Sequence, residues 1–600
     1  MSIARMTKVT LLGASTEQKA ALGDLQALGS VHLISLRKES RPVALTAPEW
    51  NESVTEALRH LASAPQRRHQ EIDAQNFNIQ EVVKAALKNK EQQREIADRQ
   101  ISLRNRISQL SPWGNFLLPP LDEMGGFRLW FYRVPLRELK KVNRLTDPWE
   151  VVAKDHRFAY LVVISKEEPR PGLLPVPRTH AGEVALDELK RDLLRTELTM
   201  EDLAAEQSAL SRWIHLLTRS LAVVEDERAL EQASRQAREV HTMFMVQGWS
   251  PSTDLPALQN LVEAQGMALL QEDPAPDEKP PTLMEDPGPF QGGTDLVSFY
   301  ETPGYRSWDP SLVVAFSFAI FFAMILADAG YALVLAAMLF LARNKLKRSA
   351  GGRRFRLLMS GVLAVSLVFG VLAGTYFGVE PPQHSFLGRL HILHLQDTAA
   401  MMQLSLLVGC ADLMVANAAS SLHAHNLSGR LKPLGWIAVI LGGLFLLLSH
   451  GTTVEPVMWK LGFYFIAGGL ALVVLFGSNR PVKSLSSALM RLLTGVGSLF
   501  DISKLFGDAL SYLRLFALGL ASASLAITFN QIASQITKGI PGIGLLLAIL
   551  VLLGGHALNL LLGIINGFVH GLRLNYIEFF NWALSEEGYP FKAFRKMEIE

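Results

Sequence analysis

A chain of 600 residues, 49% of them hydrophobic and 19% charged, is too long for one core, and its averages conceal two unlike parts. With 58 basic and 56 acidic residues the formal net charge is only +2, which gives no ground for a nucleic-acid binder. The lone cysteine, Cys410, has no partner for an intrachain disulfide and lies in an apolar run, where packing is its default role.

The N-terminal stretch MSIARMTKVTLLGASTEQKA lacks a sustained apolar segment and a secretory cleavage site, so the first half is expected to stay in the cytoplasm. Strand-like runs at residues 8–12 and 31–36 flank a helical stretch at 17–28. A matching piece returns at 241–247, followed by a turn at 248–251, a helix at 255–265 and a strand at 267–270. Together they predict one α/β lobe from residues 1–50 and 237–271. Between these pieces lie two helical arms. In the second, Leu186, Leu193, Met200, Ile214 and Leu221 fall at heptad spacing, with Thr196 and Gln207 the polar entries of the seam. The first arm, residues 72–110, keeps a weaker register. The two predict an antiparallel coiled-coil rod over 51–112 and 178–236, on the order of 60 Å long at 1.5 Å per residue. Its far end carries residues 113–177, where runs at 127–134 and 158–164 read as strands of a second α/β lobe. Lobe, rod and lobe make a dumbbell, although periodicity alone leaves a generic coiled-coil scaffold open. Residues 272–306, with EDPAPDEKPP inside, read as a linker.

From residue 307 to 600 the chain reads as a polytopic helical membrane domain. Its apolar runs are 311–341, 357–379, 401–419, 434–449, 458–476, 510–532 and 543–569. The loop 343–356 holds seven basic and no acidic residues, which places it in the cytoplasm. With a cytoplasmic N-terminus, an even number of crossings must precede it, so 311–341 is expected to fold as a hairpin broken near Asp328 and Gly330. Arg430 with Lys432, Arg480 with Lys483, and the basic residues of 592–596 fall on the same side, giving about eight spans with both ends cytoplasmic. The amphipathic stretch 484–505 is expected to lie along that face.

Two arginines stand inside or at the end of apolar helices: Arg514 in DALSYLRLFALGLASASLAITFN and Arg573 in GFVHGLRLNYIEFF. A charge at hydrocarbon depth costs about 2.5–3.5 kcal/mol on insertion scales, which invites a functional account. Both also lie toward one end of their runs, where a long side chain can reach the headgroups, and hydropathy alone leaves the two readings level. No phosphate-cradling P-loop occurs, nor any Gly-Lys dipeptide, so ATP hydrolysis by this chain is not expected. The pairs His391 with His394 and His423 with His425 lack the further ligands of a zinc site, so neither a metal nor another cofactor is expected.

The segments SYLRLFALGLASA, VHGLRLNYIEFF, GYPFKAF, LADAGYAL, GTYFG and VQGWSP together resemble the membrane subunit of the rotary V/A-type ATPases, called subunit a, or subunit I in bacteria and archaea. The resemblance runs from end to end of the chain. It implies a prokaryotic plasma-membrane stator whose two long helices face a proteolipid ring. The lobes of the arm would contact peripheral stalks and a central-stalk adaptor. Arg514 would be the primary residue of ion translocation and Arg573 its partner. A guanidinium stays charged at accessible pH, so it discharges a passing ring carboxylate without carrying the proton itself. Asp501 resembles a cytoplasmic-side acid of bacterial relatives, and His570 and Glu578 lie about one helical turn from Arg573. For each, a headgroup-level polar residue is the competing account. His556, Asn559 and Asn566 recur near helical spacing and would line a wet face, with interhelical hydrogen bonding as the plainer alternative. Ser522 stands where eukaryotic relatives carry a histidine, and Gly563 where they carry a glutamate, so that proton path does not transfer intact. Asp328 and Asp412 are further membrane acids, structural or belonging to an exit path. A self-sufficient transporter and a non-transporting anchor are the rival functions.

Overall fold

The computed structural model describes residues 3–36, 49–73, 77–116, 118, 123–170, 174, 176–179, 184–285, 291–382, 384–395, 397–424, 426–449, 455–478, 485–584 and 586–597. His425, Arg480 and Lys483 lie outside them. The chain divides into two compact units, Met1–Leu36 with Ala237–Phe594, and Arg37–Gln236 with Arg595–Glu600.

The elements in chain order begin with β1 (Met6–Ala14), α1 (Gln18–Leu28) and β2 (His32–Ile34). Next come α2 (Glu49–Ala62), α3 (Ile79–Leu110), β3 (Arg128–Pro135), β4 (Trp149–Lys154), β5 (Phe158–Ser165), β6 (Arg178–Thr179), α4 (Leu186–Leu210) and α5 (Ile214–Gln236). The chain then returns to the first unit with β7 (Arg238–Val240), β8 (Met243–Pro251), α6 (Leu255–Ala264) and β9 (Ala268–Glu272).

In the first unit the strands form an antiparallel sheet in the order β2-β8-β1-β9, with β7 also on β8. The expected turn at 248–251 is strand instead. Gly248 sits opposite Leu33 in the β8–β2 ladder, and a Cβ there would come within 2.4 Å of Val31 and 2.7 Å of the His32 carbonyl. This glycine serves close backbone approach rather than chain reversal. Described residues near both ends of the 272–306 segment are hydrogen-bonded to their surroundings. Arg306 donates to the carbonyls of Ala275 and Pro276, both at 2.6 Å, and the Met6 amide donates to the Tyr305 hydroxyl at 2.9 Å.

In the second unit α3 and α4 pack antiparallel. Asn89 donates to the Leu203 carbonyl at 3.0 Å, Gln100 to that of Thr196 at 3.0 Å, and Asn115 to the Asp187 carboxylate at 2.5 Å. The first arm becomes helical at Ile79, where the Asn78 side chain caps the amides of Gln80 and Glu81, and Ile72 is three-quarters exposed. The second arm is interrupted at 211–213 because buried Ser211 bonds to backbone, donating to the Ser208 carbonyl and accepting from the Arg68 amide. Polar seam residues are satisfied: Gln207 donates to the His60 carbonyl at 2.7 Å and accepts from Gln93 at 3.1 Å. The remaining strands form a sheet in the order β4-β5-β3-β6.

The first unit continues with α7 (Gln291–Tyr300), α8 (Ser311–Leu326), α9 (Ala329–Leu346), α10 (Ala350–Leu372), α11 (Phe386–Arg389), α12 (Thr398–His423), α13 (Leu427–Ser449) and α14 (Glu455–Phe476). It closes with α15 (Leu485–Gly497), α16 (Asp501–Ser511), α17 (Leu513–Gly539), α18 (Gly544–Arg573), a π-helical turn (Leu574–Phe579) and α19 (Phe580–Ala583). Among the described residues seven helical stretches are long and apolar enough to cross a membrane, and α8, with 16 residues, is a shorter apolar helix. The chain therefore has a mainly helical, polytopic membrane domain. The 311–341 run is broken where the sequence places the break: Ala327 takes a left-handed φ of 48° and Asp328 caps α9.

Candidate functional site in the membrane helices

Helices α17 and α18 lie antiparallel, with Ser522 beside Asn559 and Phe529 against Gly555. Close packing of α17 on its other neighbour depends on Gly519, five residues past Arg514, where a Cβ would stand 2.5 Å from the Met324 carbonyl of α8. Polar residues gather at two levels of this pair.

At the first level are the arginines. The chain tightens between α16 and α17, with the Leu515 amide bonding back to the Tyr512 carbonyl at 3.0 Å, so Arg514 is the second residue of a new helix just past the bend. Tyr512 is fully buried and its hydroxyl donates to the buried Asp412 carboxylate of α12 at 2.7 Å. That bond fixes the bend from outside the helix. Arg573 closes α18 and is exposed, while the π-helical turn after it buries Glu578. Single π turns are rare in helices and concentrate at functional sites. Here the turn is held by Asn575, which donates to the Gly571 carbonyl at 3.1 Å and accepts from Ser317 at 2.5 Å, and by the Tyr576 hydroxyl on the Leu296 carbonyl at 2.5 Å. Arg514, Arg573, Glu578 and half-buried His570 lie within Coulombic reach of one another, and Glu578 bonds to Ser511. Nevertheless Arg514 Nη1, His570 Nδ1 and one Glu578 carboxylate oxygen are buried without a hydrogen-bond partner among the described residues. Exposed residues run from each arginine along its helix. On α17 they are mostly small, Ala517, Ala521, Ser524 and Thr528, with Leu525 among them; on α18 they include Val569, Ile565, Leu561 and Ala557.

At the second level most polar groups satisfy one another, the buried Tyr376 hydroxyl being an exception among the described residues. His556 Nδ1 pairs with the Tyr331 hydroxyl at 2.7 Å and its Nε2 with Asn530 Oδ1 at 3.1 Å. Asn559 donates to that same hydroxyl at 3.0 Å and to the Ser522 carbonyl at 2.8 Å, while Ser522 Oγ donates to Asn559 at 3.3 Å. Asn530 donates to the Phe377 carbonyl at 2.8 Å. Nearby, the Asp328 carboxylate accepts the amides of Tyr331, Phe377 and Gly378, each at 3.0 Å, and so fastens the α8–α9 break to the 375–379 loop.

The structure thus gathers Arg514, Arg573, His570 and Glu578 in one place and His556, Asn559 and Ser522 in another. Asn566, half-buried on α18, joins none of the hydrogen bonds described. Asp501 begins α16 and pairs with Lys432 at 3.4 Å. Asp328 and Asp412 each hold a backbone or side-chain donor. Tyr331, Tyr512, Asn530, Asn575 and Ser317 were not singled out from sequence; a tyrosine or asparagine inside an apolar run is the signal that marks them. His391 and His394 stack on each other at 4.4 Å, and His423 stacks on Trp308 at 5.7 Å.

No family model matches the chain. Among curated relatives, V-type ATP synthase subunit I of Borreliella burgdorferi is 25% identical, with 99% of this chain and 100% of the relative aligned. V-type ATP synthase subunit I of Chlamydia pneumoniae is 24% identical over 88% of this chain and 87% of its own. A-type ATP synthase subunit I of Methanocaldococcus jannaschii is 26% identical over 68% and 63% respectively.

Proposed function

We propose, from the premise that this chain is a relative of the V/A-type ATP synthase subunit I along its whole length, that it is the ion-translocating stator subunit of such a complex. The observation that carries this reading is the arginine pair. Arg514 keeps a buried N–H without an acceptor among the described residues, and Arg573 lies exposed beside it. A buried donor left unmade costs about 1–3 kcal/mol, more for a charged group, so an acceptor from another chain is the economical way to retain it. The acceptor we infer is a carboxylate on a rotating proteolipid ring, approaching along the small-residue face of α17 and the apolar face of α18.

Such a carboxylate is protonated in hydrocarbon and ionised beside a guanidinium. Meeting Arg514 and Arg573 it gives up its ion; leaving them it must take one up before re-entering lipid. Because arginine does not release its own proton, the pair separates two aqueous paths and couples passage to rotation. Glu578, His570 and Asp501 are assigned to the path on the basic-loop side. His556, Asn559, Ser522 and Asn566 are assigned to the other, with Asp328 supporting that path and Asp412 holding the bend. The ion is a proton or sodium ion. Both ends of the chain and the 343–356 loop face the cytoplasm of a prokaryotic plasma membrane under this reading, and the lobes of the arm engage peripheral stalks and the central-stalk adaptor.

The test is ATP-driven ion uptake in vesicles carrying the whole complex with Arg514→Ala. Uptake should vanish while subunit composition is unchanged. Normal uptake would reject the proposal in favour of a membrane anchor.

A further inference from the structure

Away from the arginine site, α7, α8 and α10 enclose a groove of about 350 Å³. Its walls are nearly all carbon, including Gly292, Ala315, Phe316, Leu358 and Val362. Gly361 also lines it, and a Cβ built there meets nothing within 4 Å, so the groove is open space at that position. One turn toward the start of α10, on the same face, stands Arg354, paired with Asp295 of α7 at 3.0 Å, with exposed Arg353 next to it. Both arginines belong to the 343–356 run with seven basic and no acidic residues, and Arg353 also donates to the Lys347 carbonyl at 3.3 Å.

An apolar slot within a membrane-crossing helix, with a basic cluster one turn beyond it, has the two chemistries of an anionic phospholipid in their natural order. We propose that this groove seats an acyl chain of such a lipid, with its phosphate against Arg353 and Arg354. The volume falls in the lower part of the range for small-molecule sites, about 300–1,000 Å³. A protein helix fits poorly, since one turn about 10 Å across and 5.4 Å long would alone take up a volume of this order. A soluble polar ligand finds almost no partner on carbon walls. The inference needs only that α8 and α10 lie in a bilayer and does not depend on the ion path.

The test is native mass spectrometry of the full chain, and of the complex that contains it, released from bilayers of equal phosphatidylglycerol and phosphatidylcholine. The wild-type protein should retain phosphatidylglycerol in preference. Gly361→Leu, which fills open space, should abolish that retention, and Arg353→Gln should weaken it about fivefold, the factor equivalent to ~1 kcal/mol per basic residue. Equal retention of both lipids by wild type overturns the proposal, as does phosphatidylglycerol retention unchanged in Gly361→Leu. If Gly361→Leu does not fold, unchanged retention in Arg353→Gln overturns it. Retention by the isolated chain but not by the complex also overturns it, because a protein neighbour then covers the groove.

Discussion

The two polar levels of the α17–α18 pair use the same kinds of residues and reach opposite outcomes. Around Asn559 the hydrogen bonds form a continuous set linking Tyr331, His556, Asn530 and Ser522 across three helices. Around Arg514, three buried polar atoms of Arg514, His570 and Glu578 find no hydrogen-bond partner among the described residues although opposite charges are at hand. The same pair of helices thus closes its polar groups on one another around Asn559 and leaves hydrogen-bonding capacity open around Arg514.

Four experiments break or sharpen this contrast, beginning with the largest effect. Arg514→Ala should abolish ion uptake yet leave thermal unfolding of the complex nearly unchanged; a large fall in thermal stability would mean that Arg514 is internal glue. Asn559→Leu should instead cost stability, about 1–3 kcal/mol, through the hydrogen bonds lost to the Tyr331 hydroxyl and to the Ser522 carbonyl and hydroxyl. Its readout is the unfolding temperature in detergent, and no shift would dissolve the distinction between the levels. Tyr512→Phe lies between them, removing the donor to buried Asp412 and loosening the bend before Arg514. Reduced ion uptake per ATP hydrolysed, with assembly intact, is the expected result, and full coupling would detach the bend from the site. Lys432→Ala should matter least, because its pair with Asp501 is a third or more exposed, 33% and 42%, and such pairs are worth about 0–1 kcal/mol. A loss of uptake as complete as that of Arg514→Ala would instead place Asp501 at the centre of the path.

Outside the membrane segments, burial and the neighbouring Glu587 carboxyl push the Glu301 carboxyl upward from its ordinary value. An acid whose folded pKa is raised favours folding while protonated, and that contribution is lost as pH rises through the raised value. Glu301→Gln should therefore stabilise the junction at neutral pH, with the gain shrinking in acid; a pH-independent difference in unfolding temperature would show that the carboxyl pair is not its cause.

Hydrophobic run length and charge placement were enough to mark the membrane helices, the break at Asp328 and the two arginines, because hydrocarbon imposes its demand on each segment separately. Heptad spacing found the α3 and α4 seam by the same local logic, but not the interruption at Ser211, which depends on Arg68 and Gln70 arriving from far along the chain. Gly248 looked like a turn until its sheet neighbour was known. Likewise nothing in local spacing announced that Tyr331 would meet His556, 225 positions away, or that Asp412 would meet Tyr512, 100 away. Which polar groups are satisfied and which are left open is decided only by tertiary contact, since a donor is free or paired according to what the rest of the chain brings within about 3 Å of it.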